Sequence, residues 1–234
     1  MSVLLVAHGT RNPRGVAMIG DLAARMAEQL GERVRVSFVD VLGPTPSEVL
    51  AGLPDDEPVA VVPAFLSRGY HVRVDIPEHL NAARHPVATL TRALGPSTTL
   101  ARVLVSRLSE AGWHPGDRVI LAAAGSSDPI ARRDVADMAD LLGELLDDDV
   151  HIAFAAPSAD GTGFPAVAEV VDRLRAQTPR RRIAVASFLL ADGLFQQRLS
   201  ASSADVVARP LGLHPLVIDA ACDLARTADR AVAC

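Results

Sequence analysis

The feature that most constrains the fold is an internal repeat in the sequence. Residues 3–13 read VLLVAHGTRNP, and residues 119–129 read VILAAAGSSDP. Both segments pass from an apolar stretch through a glycine to a proline that suits the first turn of a helix. Further matches along the chain indicate a repeat of about 115 residues. The sequence therefore divides into an N-terminal half, residues 1–115, and a C-terminal, degenerate repeat, residues 116–234.

Each half alternates short apolar segments with amphipathic ones. In the N-terminal half we expect strands at four places: Val3–Ala7, Val34–Asp40, Pro58–Phe65 and Val87–Leu90. The third is apolar almost throughout, which is typical of a strand that is buried on both faces of a parallel sheet. Alternating strands and helices favour an α/β fold. We therefore predict two similar halves, each a parallel sheet flanked by helices, with the active cleft between them.

Composition limits the classes of function to consider. The net charge of −5 gives no support to a nucleic-acid-binding surface. The two cysteines, Cys222 and Cys234, form no CxxC pair, so we expect neither a disulfide framework nor a cysteine metal cluster. The sequence has no basic leader and no apolar run of about 20 residues. We therefore expect a soluble, cytoplasmic protein, and the lack of glycine-rich phosphate motifs gives nucleotide cofactors no support.

The two halves differ at three positions that could carry chemistry. His8, Asp40 and His71 in the N-terminal half correspond to Ala124, Ala156 and Phe195 in the C-terminal repeat. Glycines and prolines that shape the backbone are present in both halves, whereas these three reactive groups are present in only one. The simplest interpretation is one working site in residues 1–115, with a silent equivalent in residues 116–234.

All three reactive residues lie at or just past the ends of predicted parallel strands, and ligands of such sheets bind beyond the carboxyl ends of the strands. Two imidazoles and a carboxylate suit a divalent metal such as Fe, Co, Ni or Zn. A neutral imidazole can also accept a proton near neutral pH. A structural alternative stays open, because a histidine at a strand end is often only hydrogen-bonded, and Asp40 could simply cap the turn that follows it.

Other polar residues near these strand ends have two interpretations each. Four arginines could meet an anionic ligand such as a polycarboxylate, or could form an ordinary solvated rim: Arg11, Arg14, Arg68 and Arg73. Asp75 precedes Ile-Pro-Glu and is most simply a helix cap, although it could instead orient His71. We expect His79 and His85 to be solvated surface residues.

Several segments together resemble a known family. VAHGTRNP, FVDV followed by Pro-Thr, and VVPAFLSRGYHVRVDIP are similar to the class II chelatases of the sirohydrochlorin cobaltochelatase and ferrochelatase type, the CbiX/SirB group. The C-terminal repeat resembles the degenerate half of the long, two-domain members. The resemblance implies a lyase that inserts Co2+ or Fe2+ into sirohydrochlorin without ATP, on the way to cobalamin or sirohaem.

In that family, histidines at the positions of His8 and His71 handle the metal and the pyrrole protons, and an acidic residue at the position of Asp40 assists. The arginines would then meet the carboxylates of sirohydrochlorin. The resemblance implies no organic cofactor, because the metal is a substrate, and it favours a monomer, because the internal repeat can imitate the dimer of shorter relatives. A non-catalytic carrier of metal or tetrapyrrole, and a small-anion-binding protein with incidental histidines, remain alternative functions.

Overall fold

The computed structural model describes residues 1–157 and 161–232 and divides into two compact units. Unit 1 contains Met1–Gly95 and the segment that begins at Leu213, and unit 2 contains Pro96–Gly212. Each unit has its own four-stranded parallel sheet with helices packed on it. The predicted α/β fold with two similar parallel sheets is confirmed.

Strands and helices alternate along the described residues. The strands are β1 (Ser2–Ala7), β2 (Arg33–Phe38), β3 (Val59–Pro63), β4 (Ala88–Leu90), β5 (Arg118–Ala123), β6 (Val150–Phe154), β7 (Ile183–Phe188) and β8 (Val206–Val207). The helices are α1 (Pro13–Leu30), α2 (Pro46–Ala51), α3 (Ile76–Ala83), α4 (Thr98–Glu110), α5 (Pro129–Leu146), α6 (Val167–Gln177), α7 (Leu194–Ser200) and α8 (Pro215–Val232). One π-helical turn, His71–Asp75, leads directly into α3.

The sheet of unit 1 has the strand order β2-β1-β3-β4, so β1 lies between β2 and β3. Strands β1 and β3 are buried along their whole length, as their apolar sequences predict. Helix α1 begins where the sequence indicates, because the Asn12 side chain accepts a hydrogen bond from the Arg14 N–H and Pro13 occupies the first turn. Strand β2 ends at Phe38, two residues earlier than predicted, so Asp40 lies in the loop beyond it.

Unit 2 repeats this arrangement with the strand order β6-β5-β7-β8. The start of α5 matches that of α1, because Asp128 accepts a hydrogen bond from the Ile130 N–H and Pro129 follows it. The registers of the central strands also match, since Ser2 pairs with Val59 in unit 1 and Arg118 pairs with Ile183 in unit 2.

The compact units and the sequence repeats have different boundaries. The sequence repeats meet near residue 115, but α4 packs on α5 and β7 in unit 2, and α8 packs on α1 and β3 in unit 1. Buried Arg107 helps to hold α4 in unit 2, because its guanidinium donates to the Leu211 carbonyl at 2.8 Å. The last helix of each sequence repeat therefore completes the other compact unit.

The expectations about two histidines, the cysteines and membrane-spanning segments can also be compared with the structure. His85 is buried and its Nε2–H donates to the Pro54 carbonyl at 3.0 Å, so the prediction of a solvated side chain is wrong for this residue. His79 is half-buried, with Nδ1 at 3.1 Å from the Ser47 hydroxyl. Cys222 is fully buried and free, whereas Cys234 lies outside the described residues. In the described part of the chain, no helix combines the length and apolar character needed to cross a membrane.

Candidate functional site

The candidate site is built at the carboxyl ends of β1, β2 and β3. His8 follows β1 directly, Asp40 lies two residues beyond β2, and His71 opens the π-helical turn after β3. The ladder between β1 and β2 continues into the loops, because the Asp40 N–H donates to the His8 carbonyl at 3.0 Å. Since β1 is flanked by β2 and β3, the three residues leave neighbouring strands at one edge of the sheet.

The structure brings the imidazoles of His8 and His71 together. Their ring centroids lie 4.6 Å apart, and the ring planes are nearly perpendicular at 89°. The His8 side chain is exposed, and the His71 side chain is 34% exposed, so a ligand can reach both rings. Phe65 and Tyr70 extend this cluster, with ring centroids 6.0 and 6.3 Å from that of His71. Two nitrogen bases therefore stand beside an aromatic surface.

Each imidazole has a hydrogen-bond partner at Nδ1. The Nδ1 atom of His71 lies 2.5 Å from Oδ2 of Asp75, and that of His8 lies 3.0 Å from the Gly9 carbonyl. A carboxylate or carbonyl oxygen accepts a hydrogen bond, so a neutral ring with this partner carries its proton on Nδ1. Nε2 is then the nitrogen with the lone pair, which can bind a metal or accept a proton.

The contact of Asp75 corrects the prediction that this residue caps α3. Its backbone is helical and its side chain makes no capping hydrogen bond, because the π-helical turn continues the helix on its N-terminal side. The carboxylate, 23% exposed, pairs with His71 instead. The alternative interpretation, in which Asp75 faces His71, agrees with this geometry.

Gly9 allows the loops after β1 and β2 to approach each other. Its φ of +97° lies in the region that L-residues rarely adopt, and a Cβ atom at this position would lie 2.1 Å from the Asp40 carbonyl oxygen. Only glycine fits without displacement of one loop. Gly125 in unit 2 has the same relation to Ala156, also at 2.1 Å, so both repeats keep this backbone while only the first carries the reactive side chains.

The carboxylate of Asp40 is engaged locally. Its Oδ1 accepts a hydrogen bond from the Val41 N–H at 2.7 Å, and the side chain is exposed. Across residues 1–157 and 161–232, no group of three or more His, Cys, Asp or Glu side chains is arranged to hold a metal ion. The site therefore offers two imidazoles to a metal, and the assignment of Asp40 to metal or proton handling stays a prediction.

The predicted arginines surround the same strand ends, and we call Arg11, Arg14, Arg68 and Arg73 the rim arginines. All four are exposed. Arg11 lies in the turn after β1, Arg14 lies in the first turn of α1, and the other two flank His71 in sequence. The loop after β3 is held together by a hydrogen bond from Arg73 Nε to the Arg68 carbonyl at 3.1 Å. Their substrate-binding role stays a prediction.

Two features of the site were not expected from the sequence. One is the aromatic flank, in which the exposed side chain of Tyr70, the single tyrosine of the chain, precedes His71. A solvent-facing aromatic residue beside a reactive histidine was the signal available for it. The other is the π-helical turn, which is rare and often found at functional sites, but which has no reliable sequence pattern.

The equivalent position in unit 2 has a different character. Phe195 stands where His71 stands in unit 1, and it and Leu194 are 40% and 60% exposed. The guanidinium of Arg198 lies 6.0 Å from the Phe195 ring centroid, at the limit of a cation–π contact. Unit 2 therefore presents apolar surface, rather than imidazoles, at the ends of its strands.

Comparison with known sequences matches both repeats. A model of the CbiX family matches residues 2–111 and again residues 118–228. The chain is 28% identical over 150 residues to a sirohydrochlorin ferrochelatase of Priestia megaterium, covering 60% of this chain and 56% of that protein. It is 33% identical over 84 residues to a sirohydrochlorin cobaltochelatase of Methanopyrus kandleri, covering 34% and 58%. These alignments span less than two thirds of either relative.

Comparison with solved structures extends over nearly the whole chain. SirB from Bacillus subtilis with Fe3+ superimposes with a TM-score of 0.81 at 24% identity, covering 97% of this chain and 94% of that one. A CbiX described as the terminal enzyme for biosynthesis of siroheme in denitrifying bacteria gives a TM-score of 0.69 at 22% identity, covering 97% and 99%. At these identities the comparisons show a shared fold.

Proposed function

The chain belongs to the CbiX family, and we propose that it inserts a divalent metal, Co2+ or Fe2+, into sirohydrochlorin. The relatives named as sirohydrochlorin ferrochelatase and cobaltochelatase support this assignment. The main observation in its favour is that the imidazoles of His8 and His71, which follow β1 and β3 in unit 1, have ring centroids only 4.6 Å apart. The equivalent residues of unit 2 are alanine and phenylalanine, so the proposed activity belongs to the N-terminal repeat.

The chemistry of insertion fits this pair. The reaction joins a divalent ion to four ring nitrogens and releases two N–H protons from the macrocycle. A neutral imidazole binds borderline metals such as Fe and Co, and it also accepts a proton near neutral pH. We assign His8 and His71 to both tasks, delivering the ion and accepting protons as the ring nitrogens take the metal. No step in this sequence needs ATP or an organic cofactor.

The remaining site residues receive supporting roles in this proposal. Asp40 assists the departure of the protons, because its backbone is bonded to that of His8 and its exposed carboxylate favours positive charge nearby. The rim arginines bind the carboxylates of sirohydrochlorin, since guanidinium groups pair well with carboxylates. Phe65 and Tyr70 offer an apolar flank to the macrocycle. We place this reaction in the cytoplasm and assign it to a monomer without nucleic-acid or membrane partners.

Anaerobic metal insertion tests the proposal. The purified protein is mixed with sirohydrochlorin and Co2+, Fe2+ or Ni2+, and the absorbance change is compared with a reaction that lacks protein. We expect turnover with Co2+ or Fe2+ and a loss of at least about 100-fold in kcat for His8→Ala and His71→Ala. His114→Ala removes an exposed histidine from unit 2 and should leave the rate within twofold.

Three outcomes would contradict the proposal. A folded protein that gives no rate above the protein-free reaction with any of the metals is not a chelatase of this kind. Tight binding of metal or sirohydrochlorin without turnover would instead indicate a carrier. Full turnover in the double variant His8→Ala, His71→Ala would show that the imidazoles are not the reactive groups.

A further inference from the structure

The carboxylate of Asp75 contacts Nδ1 of His71, and the proposed function assigns no role to it. We propose that Asp75 is a positioning residue that holds the proton of neutral His71 on Nδ1 and thereby presents Nε2 to the incoming metal. This inference rests on the proposed function for its kinetic consequence, but its structural part stands independently. The evidence is the contact itself, the turn that creates it and its loss from unit 2.

The contact is short and partly shielded from water. The Nδ1–Oδ2 distance is 2.5 Å, and the two side chains are 34% and 23% exposed. By contrast, Nδ1 of His8 faces only the neutral carbonyl of Gly9 at 3.0 Å. A carboxylate partner fixes the tautomer and orientation of an imidazole and makes its other nitrogen a better ligand than a carbonyl partner does. The two imidazoles of the site therefore differ in their partner at Nδ1, which is a carboxylate for His71 and a carbonyl for His8.

The π-helical turn explains how this contact forms. The Ile76 N–H donates to the His71 carbonyl, which closes a turn between residues five apart. Side chains four residues apart lie on the same face of a helix, so this turn places the Asp75 carboxylate beside the His71 ring. In an uninterrupted α-helix the ring of Pro77 would also press on the Arg73 carbonyl, so the proline favours an irregular turn at this point.

The described residues of unit 2 lack this arrangement. At the position equivalent to His71 it has Phe195, and four residues later, where Asp75 stands in unit 1, it has the buried Leu199. Both lie in α7, which in the described residues begins as an ordinary α-helix at Leu194. The imidazole, the carboxylate and the π-helical turn occur together in unit 1, and all three are missing from the equivalent positions in the described part of unit 2. If the carboxylate served only helix packing, its presence would not be expected to depend on the presence of the imidazole.

Nuclear magnetic resonance tests the structural part without any assay of activity. Histidine ring nitrogens are labelled with 15N, and long-range 1H–15N correlations are recorded at about pH 8, where unperturbed histidines are neutral. We expect His71 of the wild-type protein to carry its proton on Nδ1. Asp75→Leu, which introduces the residue of unit 2, should release His71 into a mixture of tautomers while His8 stays unchanged. A wild-type His71 protonated on Nε2, or a tautomer unaffected by Asp75→Leu, would overturn the proposal.

Metal binding and kinetics test the consequence. Asp75→Asn keeps the shape but removes the charge, so we expect Co2+ affinity, followed by paramagnetic loss of the His71 signals, and kcat to fall about 10- to 100-fold. The KM for sirohydrochlorin should stay within twofold, and Asp75→Glu should recover part of kcat. Glu78→Gln, an exposed carboxylate on the same helix, is the matched control and should change neither quantity.

The two proposals fail in different ways. If the wild-type protein has no chelatase activity but Asp75→Asn still weakens Co2+ binding, the proposed function fails and the positioning role of Asp75 stands. If Asp75→Asn lowers only the melting temperature and leaves Co2+ affinity and kcat unchanged, Asp75 is a packing residue and this inference is wrong. Should Asp75→Leu not fold, the wild-type tautomer and the Asp75→Asn variant still decide the question.

Discussion

Gly9 and Gly125 provide a matched pair of substitutions that can separate the requirements of the fold from those of the site. Each glycine has a positive φ, +97° and +126°, and a Cβ atom at either position would lie 2.1 Å from a carbonyl oxygen of the next strand's loop. The backbone problem is therefore the same in both units. Only in unit 1 is the neighbouring residue a proposed catalytic group, because His8 precedes Gly9 and Ala124 precedes Gly125.

The magnitude follows from two costs. An L-residue at such φ values costs on the order of 1–2 kcal/mol. The methyl group of alanine must also separate from the carbonyl by about 1 Å, and overpacking of this kind costs about 1–3 kcal/mol. We expect Gly9→Ala and Gly125→Ala each to lower the free energy of unfolding by about 2–5 kcal/mol. Gly31→Ala should cost only about 1 kcal/mol, because Gly31 also has a positive φ, +68°, but has open space around it.

Turnover distinguishes the two main variants. In Gly9→Ala, His8 and the loop of Asp40 must move apart, and a displacement of about 1 Å can cost up to 100-fold in rate. We expect at least a tenfold loss of kcat for Gly9→Ala and a change within twofold for Gly125→Ala, measured at a low temperature where circular dichroism shows both to be folded. Equal losses of kcat in the two variants, or a Gly9→Ala protein as stable as Gly31→Ala, would refute this reasoning.

Three further predictions follow from charge and burial. Replacing any one rim arginine with serine should raise the KM for sirohydrochlorin about two- to fivefold, and less at high salt, whereas Arg33→Ser at the opposite end of β2 should not. Burial raises the pKa of the Cys222 thiol to about 11, so in a Cys234→Ser variant an alkylating reagent should label it only after unfolding. Burial, reinforced by two neighbouring arginines, lowers the pKa of His151 below its usual 6.5, so unfolding takes up a proton and stability falls as the pH drops below about 6.5. Urea titrations of His151→Gln should show a weaker decline with pH than those of the wild-type protein.

The fold could be predicted from the sequence because its constraints are local and occur twice. The apolar segments that become β1 and β3 and the Asn12-Pro13 start of α1 are all readable from residue type and order. The packing of the last helices could not be predicted in this way. The amphipathic pattern of α4 does not indicate which sheet it packs on. In the structure α4 packs on α5 and β7, and Arg107 adds a buried hydrogen bond to the Leu211 carbonyl, over a hundred residues away in sequence.

The site could be predicted in position but not in detail. The strand ends place His8 and His71 together because β1 and β3 are neighbours in the sheet. The surroundings of Asp75 depend on whether the helix begins before or after it, and its place before Ile-Pro-Glu is typical of a cap. The π-helical turn moves the helix start back to His71, which directs the carboxylate to an imidazole instead of to a backbone N–H.

The two units together distinguish residues that the backbone needs from residues that the chemistry needs. Gly9 and Gly125 are kept alike because each repeat must bring the same two loops together, whatever side chains they carry. His8, Asp40, His71 and Asp75 have no reactive equivalents in unit 2, although its strand order, the register of its central strands and the start of its first helix α5 match those of unit 1. If Asp75 served only the fold, unit 2 would be expected to keep a polar group there, as it keeps the cap Asp128 in place of Asn12. Unit 2 instead has the buried Leu199 at this position, so the comparison of the two repeats places Asp75 with the two histidines among the residues that the chemistry needs.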